Sequence, residues 1–195
     1  MAQQEMKIVV LGDASVGKSS ILYRYVSDSF NQFPASTINA SFYRKLLVSK
    51  IPTNLQLWDT ASQEKFKSII PMYYRNADII IIVFSVDSIS SFNQAKIQVE
   101  EVRQKQEKPN IILLGNKCDL HNSIKNEAED YALEAGYKLH WVSALNGQGV
   151  KQAFTEAVED VLNKQEFKMK TAESQVIEHK QLNVAKKELK TGCCK

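Results

Sequence analysis

The sequence predicts an α/β fold: a three-layer sandwich with a six-stranded, mostly parallel sheet and helices on both faces. Three observations carry this expectation. Apolar runs alternate with amphipathic stretches along most of the chain, the pattern of a parallel sheet covered by helices. The apolar run Ile8-Val9-Val10-Leu11 passes through a glycine-containing turn straight into a helix-like stretch, Ser19 to Val26. Two alternating segments flank Pro52, so one pair of neighbouring strands is expected to be an antiparallel hairpin.

The elements follow in order. The first strand is expected over about Lys7 to Leu11 and the first helix over Lys18 to Ser27. Asp28 to Pro34 is rich in turn formers and closes on a proline, so it reads as a loop. The hairpin strands are expected at about Ser41 to Val48 and Leu55 to Trp58. Ser62 to Asn76 begins irregular and turns helical. Ile79 to Val86 is an apolar strand, too short to span a bilayer. A helix over Ile89 to Glu107, a strand over Ile111 to Gly115 and a helix near Lys125 to Ala135 come next. Lys138 to Val142 is a short strand. Val150 to Leu162 is a helix that gathers Val150, Phe154, Val158 and Val161 near one face.

A chain of 195 residues suits one compact domain and a tail. Residues 164–195 hold eight Lys and four Glu, so the tail carries the positive balance of the +3 chain and the rest is close to neutral. A broad nucleic-acid surface is therefore not expected. Three cysteines, Cys118, Cys193 and Cys194, make no disulfide framework, which points to a reducing compartment. No charged-then-apolar leader opens the sequence.

Three constellations carry chemistry. Gly12-Asp13-Ala14-Ser15-Val16-Gly17-Lys18-Ser19 has the spacing of a phosphate-binding loop. Its glycines let backbone N–H groups turn toward phosphate oxygens, and the helix that follows adds its positive end. Lys18 would reach the β- and γ-phosphates, and the Ser19 hydroxyl would ligate Mg²⁺. Asp59 lies at the end of an expected strand, where a carboxylate holds Mg²⁺ through water. Asn116-Lys117-Cys118-Asp119 follows another expected strand. A carboxylate such as Asp119 accepts from guanine N1–H and the 2-amino group, whereas adenine offers it only an acceptor at N1. Lys117 would lay its alkyl stem along the base. Taken singly, each has a bland reading as a polar turn at a strand end.

Together they resemble the small GTPases of the Ras superfamily and, more narrowly, the Rab family, with a P-loop NTPase fold. The shared signs are Gly12 to Ser19, Ser36-Thr37-Ile38, Trp58-Asp59-Thr60-Ala61 with Gln63-Glu64-Lys65-Phe66, Pro71 to Arg75, Asn116 to Asp119, and Ser143-Ala144. They occur in the family's order over residues 6 to about 163. The resemblance implies a GTPase domain over 1–163, a flexible tail over 164–195, and a GTP/GDP switch in vesicle traffic.

The resemblance also implies roles. Ser15, Val16, Gly17, Lys18, Ser19 and Ser20 would hold the phosphates. Thr37 would join Ser19 and Asp59 at Mg²⁺ and touch the γ-phosphate. Phe30 would pack edge-on against guanine, Asn116 would brace the base-binding loops, and the Ala144 N–H would meet the guanine carbonyl, with Ser143 and Leu145 beside it. Gln63 would orient the attacking water. No Arg lies between Asp28 and Asn39, so a transition-state arginine would come from an activating protein. Phe42, Trp58 and Tyr73 match the aromatic trio that meets effectors in the family; local packing reads them equally well.

Three residues depart from the family pattern. Ser62 replaces a glycine whose N–H bonds the γ-phosphate; the side chain restricts φ there, and slowed switch closure and hydrolysis are expected. Asn39 replaces a common glycine, and Asn tolerates positive φ. Leu145 replaces a usual lysine, leaving the backbone contact in place. The ending Gly192-Cys193-Cys194-Lys195 is not a C-a-a-X box. It resembles the double-cysteine ending geranylgeranylated in the Rab family, where two lipid chains anchor stably. Lys186, Lys187 and Lys190 would add attraction to an anionic leaflet.

The expected partners are thus guanine nucleotide, effectors, an exchange factor, an activating protein, a prenylation escort, and the cytoplasmic face of an intracellular membrane, with cycling through the cytosol. Two rival readings remain: a GTP-loaded scaffold that barely hydrolyses because of Ser62, and another phosphate-loop enzyme such as a nucleotide kinase or an ATPase. Asn116 to Asp119 argues against the last.

Overall fold

The computed structural model describes residues 4–32, 37, 40–49, 51–61, 69–121 and 123–166. Ser62, Gln63, Asn39, Cys193 and Cys194 lie outside the described residues.

The strands are β1 (Gln4–Gly12), β2 (Ala40–Leu47), β3 (Thr53–Thr60), β4 (Ile79–Ser85), β5 (Ile111–Asn116) and β6 (Lys138–Trp141). The helices among them are α1 (Lys18–Ser27), α2 (Ile70–Tyr74), α3 (Ile89–Lys105) and α4 (Lys125–Ala135). The chain divides into two units, Met1–Val158 and Glu159–Lys195. Residues 150–158 of the first are helical, as are residues 159–166 of the second.

All six strands form one sheet in the order β2-β3-β1-β4-β5-β6. Only β2 and β3 run antiparallel, in register from Ala40↔Thr60 to Leu47↔Thr53. This is the expected hairpin around Pro52. Every other pair is parallel. The α/β sandwich with a mostly parallel six-stranded sheet is therefore the fold of this chain.

Strand ends differ from the expectation where pairing overrides side-chain pattern. β1 begins at Gln4 rather than Lys7 because Gln4, Glu5 and Met6 pair with Thr53, Asn54 and Leu55. β3 accordingly starts at Thr53, directly after Pro52. β5 extends one residue beyond Gly115, since Asn116 pairs with Ser85.

The core forms on both faces of the sheet because side chains alternate along each strand. Val9, Leu11, Ile80, Ile82, Phe84 and Leu113 point to one face. There they meet Phe92, Ala95, Val99 and Val102 of α3 and Ala128 and Ala132 of α4. These helical positions recur at three- and four-residue spacing, the stripe that faces a sheet. The alternate residues Ile8, Val10, Ile79, Ile81 and Val83 are equally buried. Helix α1 contributes buried Ile21, Leu22 and Tyr25, and Tyr25 stacks on Phe154 with centroids 4.0 Å apart.

Two glycine positions are fixed by close approach. A Cβ on Gly12 would lie 2.3 Å from the Val83 carbonyl oxygen, because β1 and β4 pair there. Gly115 faces the Trp141 ring, and a Cβ would fall 2.2 Å from its Cζ3.

Candidate functional site

The carboxyl ends of β1, β3, β4 and β5 open on one edge of the sheet, where ligands bind in open parallel sheets. β1 ends at Gly12 and hands over to the loop before α1. Ser15 adopts φ 60° and Gly17 φ 93°, both in the left-handed region. Glycine is needed at 17 for a second reason: a Cβ there would lie 2.3 Å from the Asn116 side-chain nitrogen. The first helical bond, Ile21 N–H to Gly17 C=O at 2.9 Å, starts α1 directly from the loop. Val16 is buried, Ser15 exposed, and Ser20 between the two.

Lys18 is buried, and its Nζ donates to the Asp13 carbonyl at 2.7 Å. Burial pulls its pKa down to about 8, against the opposing pull of the Asp59 and Asp13 carboxylates. Asp59 moves the other way: burial pushes its carboxyl up, while bonds from Ser19 and Thr37 and the charge of Lys18 hold it back. Both charges thus suffer from lost hydration. A ligand that brings negative charge to Lys18 and a cation to Asp59 relieves both.

Three oxygen-bearing side chains converge beside Lys18. The Ser19 hydroxyl donates to Asp59 Oδ2 at 2.6 Å and lies 2.8 Å from Thr37 Oγ1. Thr37 in turn donates to the same carboxylate oxygen at 3.3 Å. The other oxygen, Asp59 Oδ1, is buried without a hydrogen-bond partner. Two hydroxyls and a carboxylate with a spare buried lone pair are the donor chemistry of a hard cation such as Mg²⁺. The residues present therefore fit that ion.

The other side of the site is built around Asn116. Its Nδ2 donates to the Val16 carbonyl at 2.7 Å, and its Oδ1 receives the Ala144 N–H at 3.2 Å. Its own carbonyl accepts from Val86 N–H at 3.0 Å. One buried side chain so joins the loop before α1 to the loop after β6. Lys117 turns the chain in the left-handed region, φ 64°, and Asp119 then accepts a hydrogen bond from the Ser143 hydroxyl. Cys118 N–H bonds Val142 C=O at 3.1 Å, tying the two loops along their backbones. Lys117 Nζ lies 3.7 Å from Asp87 Oδ2. The Ser85 hydroxyl holds the Asp87 carboxyl below the usual range, and Lys117 adds to this.

Leu145 is half exposed, and Phe30 follows the C-cap of α1 as an intermediate residue of the loop. Phe42, Trp58 and Tyr73 form a continuous aromatic strip. Phe42 pairs with Trp58 across β2 and β3, with centroids 5.0 Å apart, and Trp58 lies 5.8 Å from Tyr73. Trp58 and Tyr73 also pack on the core, while Phe42 stays exposed. Both readings of the trio therefore have geometry behind them.

Two residues escaped the sequence reading. Asp87 anchors Lys117 across 30 residues of chain. Arg24 of α1 donates to the carbonyls of Ala144 and Leu145 at 2.9 and 2.6 Å. Its only local signal is a basic residue in the last helical turn, where any cation is welcome.

Comparison with known proteins falls on the same span. The Ras family model matches residues 7–163. The chain is 44% identical over 156 residues to Ras-related protein RABF2b of Arabidopsis thaliana, covering 77% of this chain and 78% of that one. It is 41% identical over 169 residues to GTP-binding protein ypt5 of Schizosaccharomyces pombe, covering 80% of each. Against Ras-related protein Rab-22A of Homo sapiens it is 39% identical over 162 residues, covering 80% of this chain and 83% of the relative.

Proposed function

Because the chain belongs to the Ras family, and within it to the Rab GTPases, we propose that the site above holds a guanine nucleotide with Mg²⁺, its purine ring at Asp119 and its phosphates at Lys18. The protein is a small GTPase that binds guanine nucleotide, hydrolyses GTP and regulates vesicle traffic through regulatory and effector partners. Among the described residues no helix is long and apolar enough to cross a membrane. Membrane contact through geranylgeranyl groups on Cys193 and Cys194, at the cytoplasmic face of an intracellular membrane and with return to the cytosol by an escort, is our reading of the tail. So is the division into a GTPase domain over 1–163 and a tail over 164–195.

The observation that carries the site reading is the triangle of Ser19, Thr37 and Asp59. Thr37 belongs to the segment between α1 and β2 and reaches the same carboxylate as the first residue after Lys18. In this reading Ser19, Thr37 and Asp59 hold Mg²⁺, which when bound neutralises phosphate charge. Lys18 meets the phosphate oxygens and regains an ordinary ammonium state. Ser15, Val16, Gly17 and Ser20 offer the phosphates backbone and hydroxyl donors. Thr37 reports the third phosphate, so its segment is released when that phosphate leaves. Asp119, steadied by Ser143, accepts from the guanine edge, and Lys117, Phe30, Ala144 and Leu145 frame the base. Gln63 orients water for attack and Ser62 lies next to it in sequence. Phe42, Trp58 and Tyr73 meet effectors, and an activating protein supplies the arginine.

Competition of unlabelled nucleotides against fluorescent GDP tests this reading. GDP and GTP displace the probe and ADP does not, and Asp119→Ala abolishes that preference. A variant that still rejects adenine would refute the role of Asp119. Slow hydrolysis caused by Ser62 would leave these binding results unchanged.

A further inference from the structure

Arg24 departs one turn before the end of α1 and its guanidinium is spent almost wholly on backbone carbonyls. Nε donates to Ala144 C=O at 2.9 Å, Nη2 to Leu145 C=O at 2.6 Å and Nη1 to Asp28 C=O at 2.8 Å. The side chain is only 14% exposed, and it also makes a long ion pair, 3.9 Å, with the fully exposed carboxylate of Asp28. The close partners of this cation are therefore the backbone carbonyls of two loops. One is the loop after β6, which it grips at two successive carbonyls. The other is the C-cap of α1, where Asp28 turns left-handed at φ 53° before the chain runs on to Phe30.

The loop after β6 is also held by Asn116, Cys118 and Asp119, through Ala144, Val142 and Ser143, and by bonds within itself. Ser143 N–H bonds Gln148 C=O at 3.0 Å and Gly147 N–H bonds Ser143 C=O at 2.9 Å. Gly147, itself at φ 86°, lies along the Arg24 stem, with an added Cβ 3.5 Å from Cδ. The Ala144 N–H makes only a 3.2 Å bond to Asn116, at the long end for N–H···O. That N–H lies in the Ser143–Ala144 peptide plane, whose own carbonyl accepts from Gly147 N–H. Arg24, by holding the carbonyls of Ala144 and Leu145, fixes the two peptide planes that follow it. A planar fork with five donors does this where an ammonium cannot.

We propose that Arg24 is a positioning residue for purine recognition. By fixing the 144–145 peptides from α1, it aims the Ala144 N–H at the 6-carbonyl of guanine. This rests on the guanine-nucleotide reading above. The same helix begins at the phosphate loop, so base and phosphate contacts are referred to one rigid body.

The test compares GDP with the diphosphate of 2-aminopurine riboside, which keeps the 2-amino group but lacks the 6-oxygen and, with it, the N1 hydrogen. The variants are read against wild type, so the N1 difference is common to all. Wild type favours GDP. Arg24→Ala narrows that preference about tenfold, the worth of one well-aimed bond, by weakening GDP and leaving the analogue nearly unchanged. Arg24→Lys, which reaches one carbonyl but not two, restores part of it. Amide exchange at 143–147 quickens in both variants, while Ala128 in α4 keeps its protection. Equal weakening of both nucleotides would overturn the proposal, leaving Arg24 a strut of the fold. An Arg24→Lys protein with wild-type preference and Arg24→Ala unfolded would overturn it as well. A wild type indifferent to the 6-oxygen would instead sink the guanine reading beneath it.

Discussion

The Asn116 carboxamide donates to the Val16 carbonyl at 2.7 Å, a buried bond between residues 100 apart in sequence. Gly17 is what lets it approach, since any side chain there would occupy the position of the carboxamide. Asn116→Ala leaves the Val16 carbonyl buried and unpaired, and costs about 2 kcal/mol. If that loss falls on the nucleotide complex, GDP should leave about thirtyfold faster. Stopped-flow release of fluorescent GDP measures it; an unchanged rate would deny the two loops any shared role.

The Ser19–Thr37–Asp59 cluster makes a prediction about metal removal. Chelation by EDTA should speed GDP release from wild type roughly tenfold or more, a loss of about 1.4 kcal/mol or greater. Asp59→Ala should release GDP fast from the start and respond little to EDTA. A variant that still responds as strongly as wild type would place the ion elsewhere.

Tyr25 links packing to pH. Its ring stacks on Phe154 and lies beneath the Lys45 ammonium, 4.3 Å from the centroid, yet its hydroxyl is buried with no hydrogen-bond partner. Burial pushes its pKa up from 10.0 to about 12. The folded chain therefore keeps a proton that the unfolded chain gives up first, so stability falls as pH climbs from about 10 toward 12. Tyr25→Phe keeps the stack and removes the unpaired group. It should raise stability at pH 7 by about 1 kcal/mol and flatten the alkaline decline relative to wild type. Urea unfolding of the GDP-bound protein at pH 7, 9 and 10.5 checks both.

Much of this was legible in the sequence, and the exceptions have a common cause. The strand–loop–helix around Gly12 and Gly17 is local, so spacing and composition reveal it. The hairpin around Pro52 is likewise written in neighbouring residues. The start of β1 at Gln4 was missed because it is set by pairing with Thr53 to Leu55. Arg24 and Asp87 were missed because their partners lie 120 and 30 residues away, and neither belongs to a motif. Thr37 and Asp59 were assigned through family resemblance and strand position, and their mutual contact could not be read from either residue alone.

Gly115 is a packing prediction that no motif contains. The Trp141 ring fills the space where its Cβ would stand, with Phe84 behind it at 3.2 Å. Gly115→Ala should cost about 2–3 kcal/mol by forcing the indole out of its place. Equilibrium unfolding measures this, and the same substitution paired with Trp141→Leu should recover part of the loss.

Ser62 and Gln63 are tested by kinetics. If residue 62 takes the place of the family's glycine, as proposed, Ser62→Gly should hydrolyse GTP faster in a single turnover, with GDP affinity unchanged. Gln63→Leu should slow the same step about a hundredfold by losing the positioned water. Equal rates for wild type and Ser62→Gly would clear the serine of any effect.

Helix α1 has ten residues, about 15 Å of rise at 1.5 Å each. It works as a caliper whose two jaws are the Gly17 turn and the Arg24 fork. Adding one residue between Ser20 and Arg24 would swing the fork about 100° round the axis, away from the carbonyls it grips. Insertions should be barred from this segment.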